Sequence, residues 1–170
     1  MPLTLLIASD THGRPDRLLE AYRRVDPAAT VFLGDGLRDL LALPQQFPIY
    51  AVRGNCDWSA DADAPPSRVV EIGSYRLYLT HGHLHGVKLQ LDAAIAAAAA
   101  ADADALLYGH THIPFEQNLR TGTQIVGGVL RKPLLVLCPG SLGQPADGVP
   151  SFATLTLTDA GLLAGFGKLK

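Results

Sequence analysis

Cysteine is nearly absent from this 170-residue chain: Cys56 and Cys138 are the only two. Two cysteines cannot build a disulfide framework, and the absence of a cysteine cluster argues against a structural zinc site. Charge of one sign is lacking as well. Fourteen Lys and Arg stand against sixteen Asp and Glu, for a net charge of -2, and the basic residues are scattered. That distribution offers no electrostatic footprint for a long nucleic-acid backbone, although nucleotides stay open as substrates. No basic stretch followed by a long apolar segment opens the chain, and its most apolar tract, Ala93 to Ala101, is too short to span a bilayer. The expectation is a protein of the reducing cytoplasm with no membrane segment. A P-loop signature is missing, and neither Ser9 nor Ser141 has an evident base, so no covalent nucleophile stands out. With 48% hydrophobic residues, residues 1–170 can bury one core and are expected to form a single domain.

Short apolar runs alternate with turn residues. Leu3 to Ala8 reads as a strand, and Leu18, Leu19 and Tyr22 mark one face of a helix between Asp16 and Arg24. Thr30 to Leu33 and Ile49 to Val52 read as buried parallel strands. Between them Leu37, Leu40 and Leu41 suggest a helix face stopped by Pro44. Ser59 to Ser67 predicts an exposed loop. Arg68 to Ile72 and Tyr75 to Thr80 have hairpin spacing. Val87 to Ala101 predicts a helix with a thin, alanine-rich apolar face, and Leu106 to Tyr108 a further strand. Thr123 to Val126, Leu134 to Leu137 and Phe152 to Leu157 make the last part largely β. The fold class is α/β early and β later, two packed sheets flanked by helices.

Five of these runs end in residues that can carry chemistry: Asp10-Thr11-His12, Gly34-Asp35, Gly54-Asn55-Cys56-Asp57, His81-Gly82-His83 and Gly109-His110-Thr111-His112. Taken singly, Asp35 or Asn55 is an ordinary turn residue. Turn chemistry does not explain five strand ends in succession, or five of only six histidines falling in two short segments. Strand ends meet on one rim in open α/β folds. Carboxylate, amide and imidazole together suit borderline to hard divalent ions. An extended backbone would point Asp10 and His12 to one side, and likewise His110 and His112. Two cations about 3.5 to 4 Å apart need a shared carboxylate, for which Asp35 is the natural candidate.

In this order the five motifs resemble the calcineurin-like metallophosphoesterases, particularly their small prokaryotic phosphodiesterase branch, from about Leu3 to Ser141. The resemblance implies a two-sheet β-sandwich flanked by helices, with a dinuclear metal site at the strand ends. It implies that Asp10, His12 and His112 bind one metal, that Asn55, His81 and His110 bind the other, and that Asp35 bridges them. Manganese is the first expectation for the two divalent ions, with iron, zinc, nickel and magnesium open. The implied chemistry is hydrolysis of a small phosphodiester, nucleotide-derived compounds included, by a hydroxide bridging two metals.

Many members have a His after the Asn that protonates the leaving group, and here that position is Cys56. A thiol is a poor proton donor to an alkoxide, so leaving groups needing little protonation are expected, and Cys56 itself reads as a small buried filler. Arg53 and His83 are further candidates for substrate contact, Asp57 for orienting the loop, and His85 for a solvated loop residue. A weak or inactive scaffold on the same fold and a phosphomonoesterase are the alternatives. The late β half leaves a homo-oligomer open through an edge strand or apolar face.

Overall fold

Strand β1 (Leu3–Ala8) is apolar throughout Leu5 to Ala8 because it is covered on both faces: Leu5 and Ile7 enter one buried cluster, Leu6 and Ala8 another. A computed structural model of the chain describes residues 1–58 and 63–170. After β1 come α1 (Pro15–Val25), β2 (Ala29–Phe32), β3 (Ile49–Ala51), β4 (Ser67–Ile72), β5 (Tyr75–Thr80), α2 (Asp92–Ala100) and β6 (Ala105–Tyr108). The chain continues through β7 (Pro114–Leu119), β8 (Gln124–Ile125), β9 (Gly128–Val129), β10 (Leu134–Pro139), β11 (Ser151–Thr158) and β12 (Gly161–Lys168).

Two five-stranded sheets result, ordered β12-β11-β1-β2-β3 and β4-β5-β6-β10-β7, with β8 and β9 as a separate hairpin. Leu5, Ile7, Val31 and Leu33 of the first sheet meet Leu77, Leu79, Leu107 and Leu137 of the second in the central core. Helix α1 covers the outer face of the first sheet with Leu18, Ala21 and Tyr22, and α2 covers the second with Ala94, Ile95 and Ala98. Pro15 opens α1 and Arg23 and Arg24 close it, an arrangement suited to the helix dipole and to the missing proline N–H. β1, β2 and β3 run parallel, as do β5, β6 and β10. All five motif-bearing strands therefore end on one rim, which is how local sequence becomes a site.

Several expected elements differ. Leu37–Ala42 is a 3₁₀ segment and not an α-helix, since Gly36 and Pro44 leave too short a span to nucleate one. The second helix starts at Asp92: before it, buried Val87 packs under Gly82, and the N–H groups of Leu89 and Gln90 return to the Gly86 carbonyl. Thr123 to Val126 contracts to the two residues of β8. β7 and β12 carry no strong strand signal. Glu116, Gln117 and Asn118 make β7 a polar edge, and three glycines dilute β12. One of them, Gly167, lies against the Phe152 ring, where a Cβ would overlap. Of the loop expected from Ser59 to Ser67, residues 59–62 lie outside the described residues, and Ser67 already belongs to β4.

Candidate metal centre

Asp10 follows β1, Asp35 follows β2, Asn55 follows β3, His81 follows β5 and His110 follows β6. Their side chains converge, and His12 and His112 join them. Asp10, His12 and His112 offer ligand atoms all within 4.8 Å of one another, as do Asp35, His81 and His110. Asp35 lies between the groups, its Oδ2 3.3 Å from His81 Nε2 and 3.9 Å from His12 Nε2. Asn55 Oδ1 lies 3.1 Å from His81 Nε2. All seven residues singled out from the sequence are thus brought together.

The backbone achieves this differently from the expected extended chain. Asp10, His12, Asp35, His110 and His112 all have left-handed φ, between 45° and 68°. Asp and His tolerate this region better than bulkier residues, yet it costs on the order of 1–3 kcal/mol each and persists only where surroundings hold it. The surroundings do so through hydrogen bonds. The N–H of Asp10 donates to Gly34 O and that of His12 to Asp35 O. Ser141 Oγ donates to Asp10 O. Asp57, at the end of the third motif, accepts from the N–H groups of Asp35, Gly36, Leu37 and Gly54 at 2.8 to 3.0 Å, tying the β2 and β3 loops with one carboxylate. Gly54 lets those loops touch, because any Cβ there would overlap Asp35 Oδ1.

The tautomers are decided by the fold. His81 Nδ1–H donates to Leu33 O at 2.7 Å and His112 Nδ1–H to Gln144 O at 2.6 Å. Each Nε2 lone pair is left facing acceptors: Asn55 Oδ1 and Asp35 Oδ2 for His81, and Asp10 Oδ1 at 3.0 Å for His112. That last approach is an ion-pair distance without hydrogen-bond alignment, so Asp10 Oδ1 remains unpartnered in the buried interior, as does His12 Nε2. Acceptors that converge without donors require a cation between them. A divalent metal fits this donor set, and imidazoles whose Nδ1–H is held by a backbone carbonyl are an arrangement metal ligands use.

The titration shifts express the same geometry with protons in the cation's place. Burial alone would raise Asp10, but His112, His12 and His81 hold it far below the usual carboxylate range. Asp35 is also lowered despite its burial, chiefly by His81. Burial would depress His81, yet Asp35 and Asp10 hold it above its ordinary value, and Asp10 raises His112. Burial and the neighbouring His81 push His110 down to about 4, so it is neutral and free to ligate at pH 7.

Other sequence expectations sort unevenly. Cys138 is buried, its thiol pushed up to about 12 by burial. Cys56 is exposed at the site's mouth and is not the buried filler expected. Its Sγ accepts from Asn55 Nδ2 at 3.3 Å, and partial burial and Asp35 raise its pKa, which leaves it a neutral thiol. His83 is half-buried, with its ring 5.3 Å from that of His81 and Nδ1 unpartnered. Arg53, whose charge reaches His83, holds no side-chain ion pair among the described residues. His85 is half-buried against Tyr78 and Thr80 instead of solvated. Sequence reasoning missed the supports for Asp10: Ser9 Oγ and the His110 N–H both donate to its Oδ2, and only proximity in space could reveal that.

Known proteins resemble this chain in sequence and fold. Residues 3–160 match the model of the calcineurin-like phosphoesterase superfamily domain. The chain is 32% identical to the probable metallophosphoesterase YsnB of Bacillus subtilis, covering 91% of this chain and 85% of that protein. It is 30% identical to the phosphodiesterase YfcE of Escherichia coli, covering 88% and 84%. The crystal structure of a predicted phosphoesterase from Streptococcus pneumoniae superposes with a TM-score of 0.75 at 27% identity, over 99% of this chain and 90% of that one. On the strength of the family match over nearly its whole length, the chain belongs to the calcineurin-like phosphoesterase superfamily and is a metallophosphoesterase, a hydrolase of phosphate esters.

Proposed function

We propose that the chain is a phosphodiesterase that uses two divalent cations, manganese first among manganese, iron, zinc, nickel and magnesium. Asp10, His12 and His112 hold one, Asn55, His81 and His110 the other, and Asp35 is shared. The observation that carries this reading is the convergence of two unpartnered buried acceptors, Asp10 Oδ1 and His12 Nε2, with the Nε2 atoms of His81 and His112 beside the Asp10 and Asp35 carboxylates. Cations bound there supply Lewis acidity toward the phosphate and an acidified water.

The chain's own groups do the rest. Leu33 O and Gln144 O hold His81 and His112 in the tautomer that points Nε2 inward. Asp57 keeps Asp35 and the Asn55 loop in register. Arg53 and His83 contact the phosphate from the second-metal side. Cys56 is a poorer proton donor than an imidazolium, so leaving groups that need little protonation are favoured. The name of YfcE, a phosphodiesterase, supports the diesterase reading.

The substrate is a small phosphodiester, nucleotide-derived compounds included. Residues 1–170 work as one domain, since β1 and β11, from opposite ends of the chain, share a sheet. Both cysteines are unpaired, consistent with a reducing cytoplasm, and no helix among the described residues is long and apolar enough to cross a membrane. A homo-oligomer would use an edge strand or an apolar face of the late β half, where β12 is the outer strand of its sheet.

Metal-stripped protein should hydrolyse bis(4-nitrophenyl) phosphate only after Mn²⁺ is added, with about two equivalents bound by elemental analysis. Asp35→Asn should lower that turnover by at least about 10²-fold, a loss of roughly 2.7 kcal/mol in transition-state stabilisation, while the circular-dichroism melt is retained. Undiminished turnover in the variant would remove the shared-carboxylate role. Faster hydrolysis of 4-nitrophenyl phosphate than of the diester would move the assignment to a monoesterase.

A further inference from the structure

Beside the carboxylate and imidazole cluster lies a cavity of about 320 Å³ that none of the roles above uses. One wall is shared with the cluster, through His12, Asp35 and Cys56. Gly13 and Gly36 add lining without side chains, and Trp58 borders the cavity on its other side. The space is large enough for a planar ring system.

Trp58 is the only tryptophan in the chain, and it is 78% exposed, the most exposed aromatic among the described residues. An indole combines a large apolar face with little conformational freedom, and leaving one open forgoes burial the fold could use. At the border of a cavity that opens onto a reactive site, an open indole is a stacking surface for whatever enters. Two of the acidic groups in the lining are already occupied: the Asp39 carboxylate accepts the Gly13 N–H at 2.9 Å, and Asp57 accepts from four backbone N–H groups. Cys56, which also lines the cavity, has a small side chain.

We propose that Trp58 and this cavity form a ring-binding subsite, so that the substrate is a phosphodiester one of whose ester groups carries a planar aromatic or nucleobase ring stacked on the indole. This rests on the phosphodiesterase reading and narrows its substrate class. The indole is the feature that selects flat rings.

Because Trp58 is the sole tryptophan, its fluorescence reports this cavity alone. The test titrates metal-loaded protein, with Zn²⁺ in place of paramagnetic Mn²⁺, with phenylphosphonate and with methylphosphonate, which share an anionic head and have no ester bond to cleave. Phenylphosphonate should shift the Trp58 emission and bind about ten-fold more tightly than methylphosphonate, the size of effect one stacked ring supplies. In Trp58→Ala, with metal content unchanged, calorimetry should show that preference lost, and kcat/KM for bis(4-nitrophenyl) phosphate should fall about ten-fold. Trp58→Phe should keep most of both. Equal affinities for the two phosphonates, or a preference that survives Trp58→Ala, overturns the subsite. Ring preference in a protein without diester turnover would keep the subsite and remove the phosphodiesterase reading; turnover without ring preference would do the reverse.

Discussion

Asp10 divides its labour between its two oxygens. Oδ2 is saturated by the Ser9 hydroxyl and the His110 N–H, whereas Oδ1 faces His112, His12 and His81. A fully buried carboxylate with one oxygen left bare is costly unless a cation completes it. The same accounting makes Cys56 informative. Its thiol is exposed and its pKa is raised by partial burial and Asp35, so it is a weak nucleophile and a poorer proton donor than an imidazolium would be. Cys56→His should therefore accelerate diesters with poor leaving groups by about 10²-fold, the lower end of general-acid contributions, and leave good ones nearly unchanged. A rate series across leaving groups checks this, and an unaltered slope would count against the proton-donor argument. Residue identity was legible here in advance; the exposure of Cys56 and the packing of His85 were not, because both depend on which neighbours the fold supplies.

At the scale of elements, parallel strands supply the rim and turns supply the aim. Five candidate ligands sit at left-handed φ, so two-residue spacing brings Asp10 and His12 together through a tight turn and not an extended strand. Asp57 is the element that couples two such turns. Asp57→Ala leaves four backbone donors of the β2 and β3 loops without an acceptor. At about 1 kcal/mol or more for each, softened by water reaching this part-buried group, the domain should lose roughly 2–4 kcal/mol. Metal affinity should fall about 10- to 100-fold with it, as when other outer supports of metal ligands are removed. Chemical denaturation and metal titration test the two effects separately, and a variant with wild-type affinity would show that the loops hold their register without Asp57. The motif strands were readable from apolar runs because burial on both faces removes alternation. Edge strands β7 and β12 were not, since nothing forces an edge to be apolar.

For the whole molecule, the metal cluster and the fold are linked through protons. In the metal-free chain His81 and His112 are raised above the unfolded value near 6.5, so their contribution to stability is present below about pH 6.5 and is lost as pH rises through the folded values. Asp10 and Asp35 are lowered, and their contribution is present above about pH 3.9 and lost as pH falls through the folded values. A metal replaces the imidazole protons, so its benefit grows as they leave. Mn²⁺ at about 100 times its Kd should add roughly 2.7 kcal/mol, about 5–10 °C in Tm for a chain of this size, and the gain over chelator-treated protein should be larger at pH 8 than at pH 6. Equal gains at both would contradict the proposed ligand set. At the far edge of the first sheet, β12 carries no charge before Lys168, and Leu163 is 62% exposed, an unguarded edge that invites strand pairing. Sedimentation should show a dimer that Leu163→Lys dissociates; a monomeric parent protein would remove that interface. The order of motifs by itself determined the family, the metal-binding residue types and the two-sheet class, because apolar runs ending in Asp, Asn or His recur wherever buried strands deliver ligands to a rim. Only the tertiary structure decided which imidazole nitrogen faces the carboxylate cluster, which carboxylate oxygen is left bare and where Trp58 opens, because each depends on a carbonyl, an N–H or a cavity contributed by a distant part of the chain.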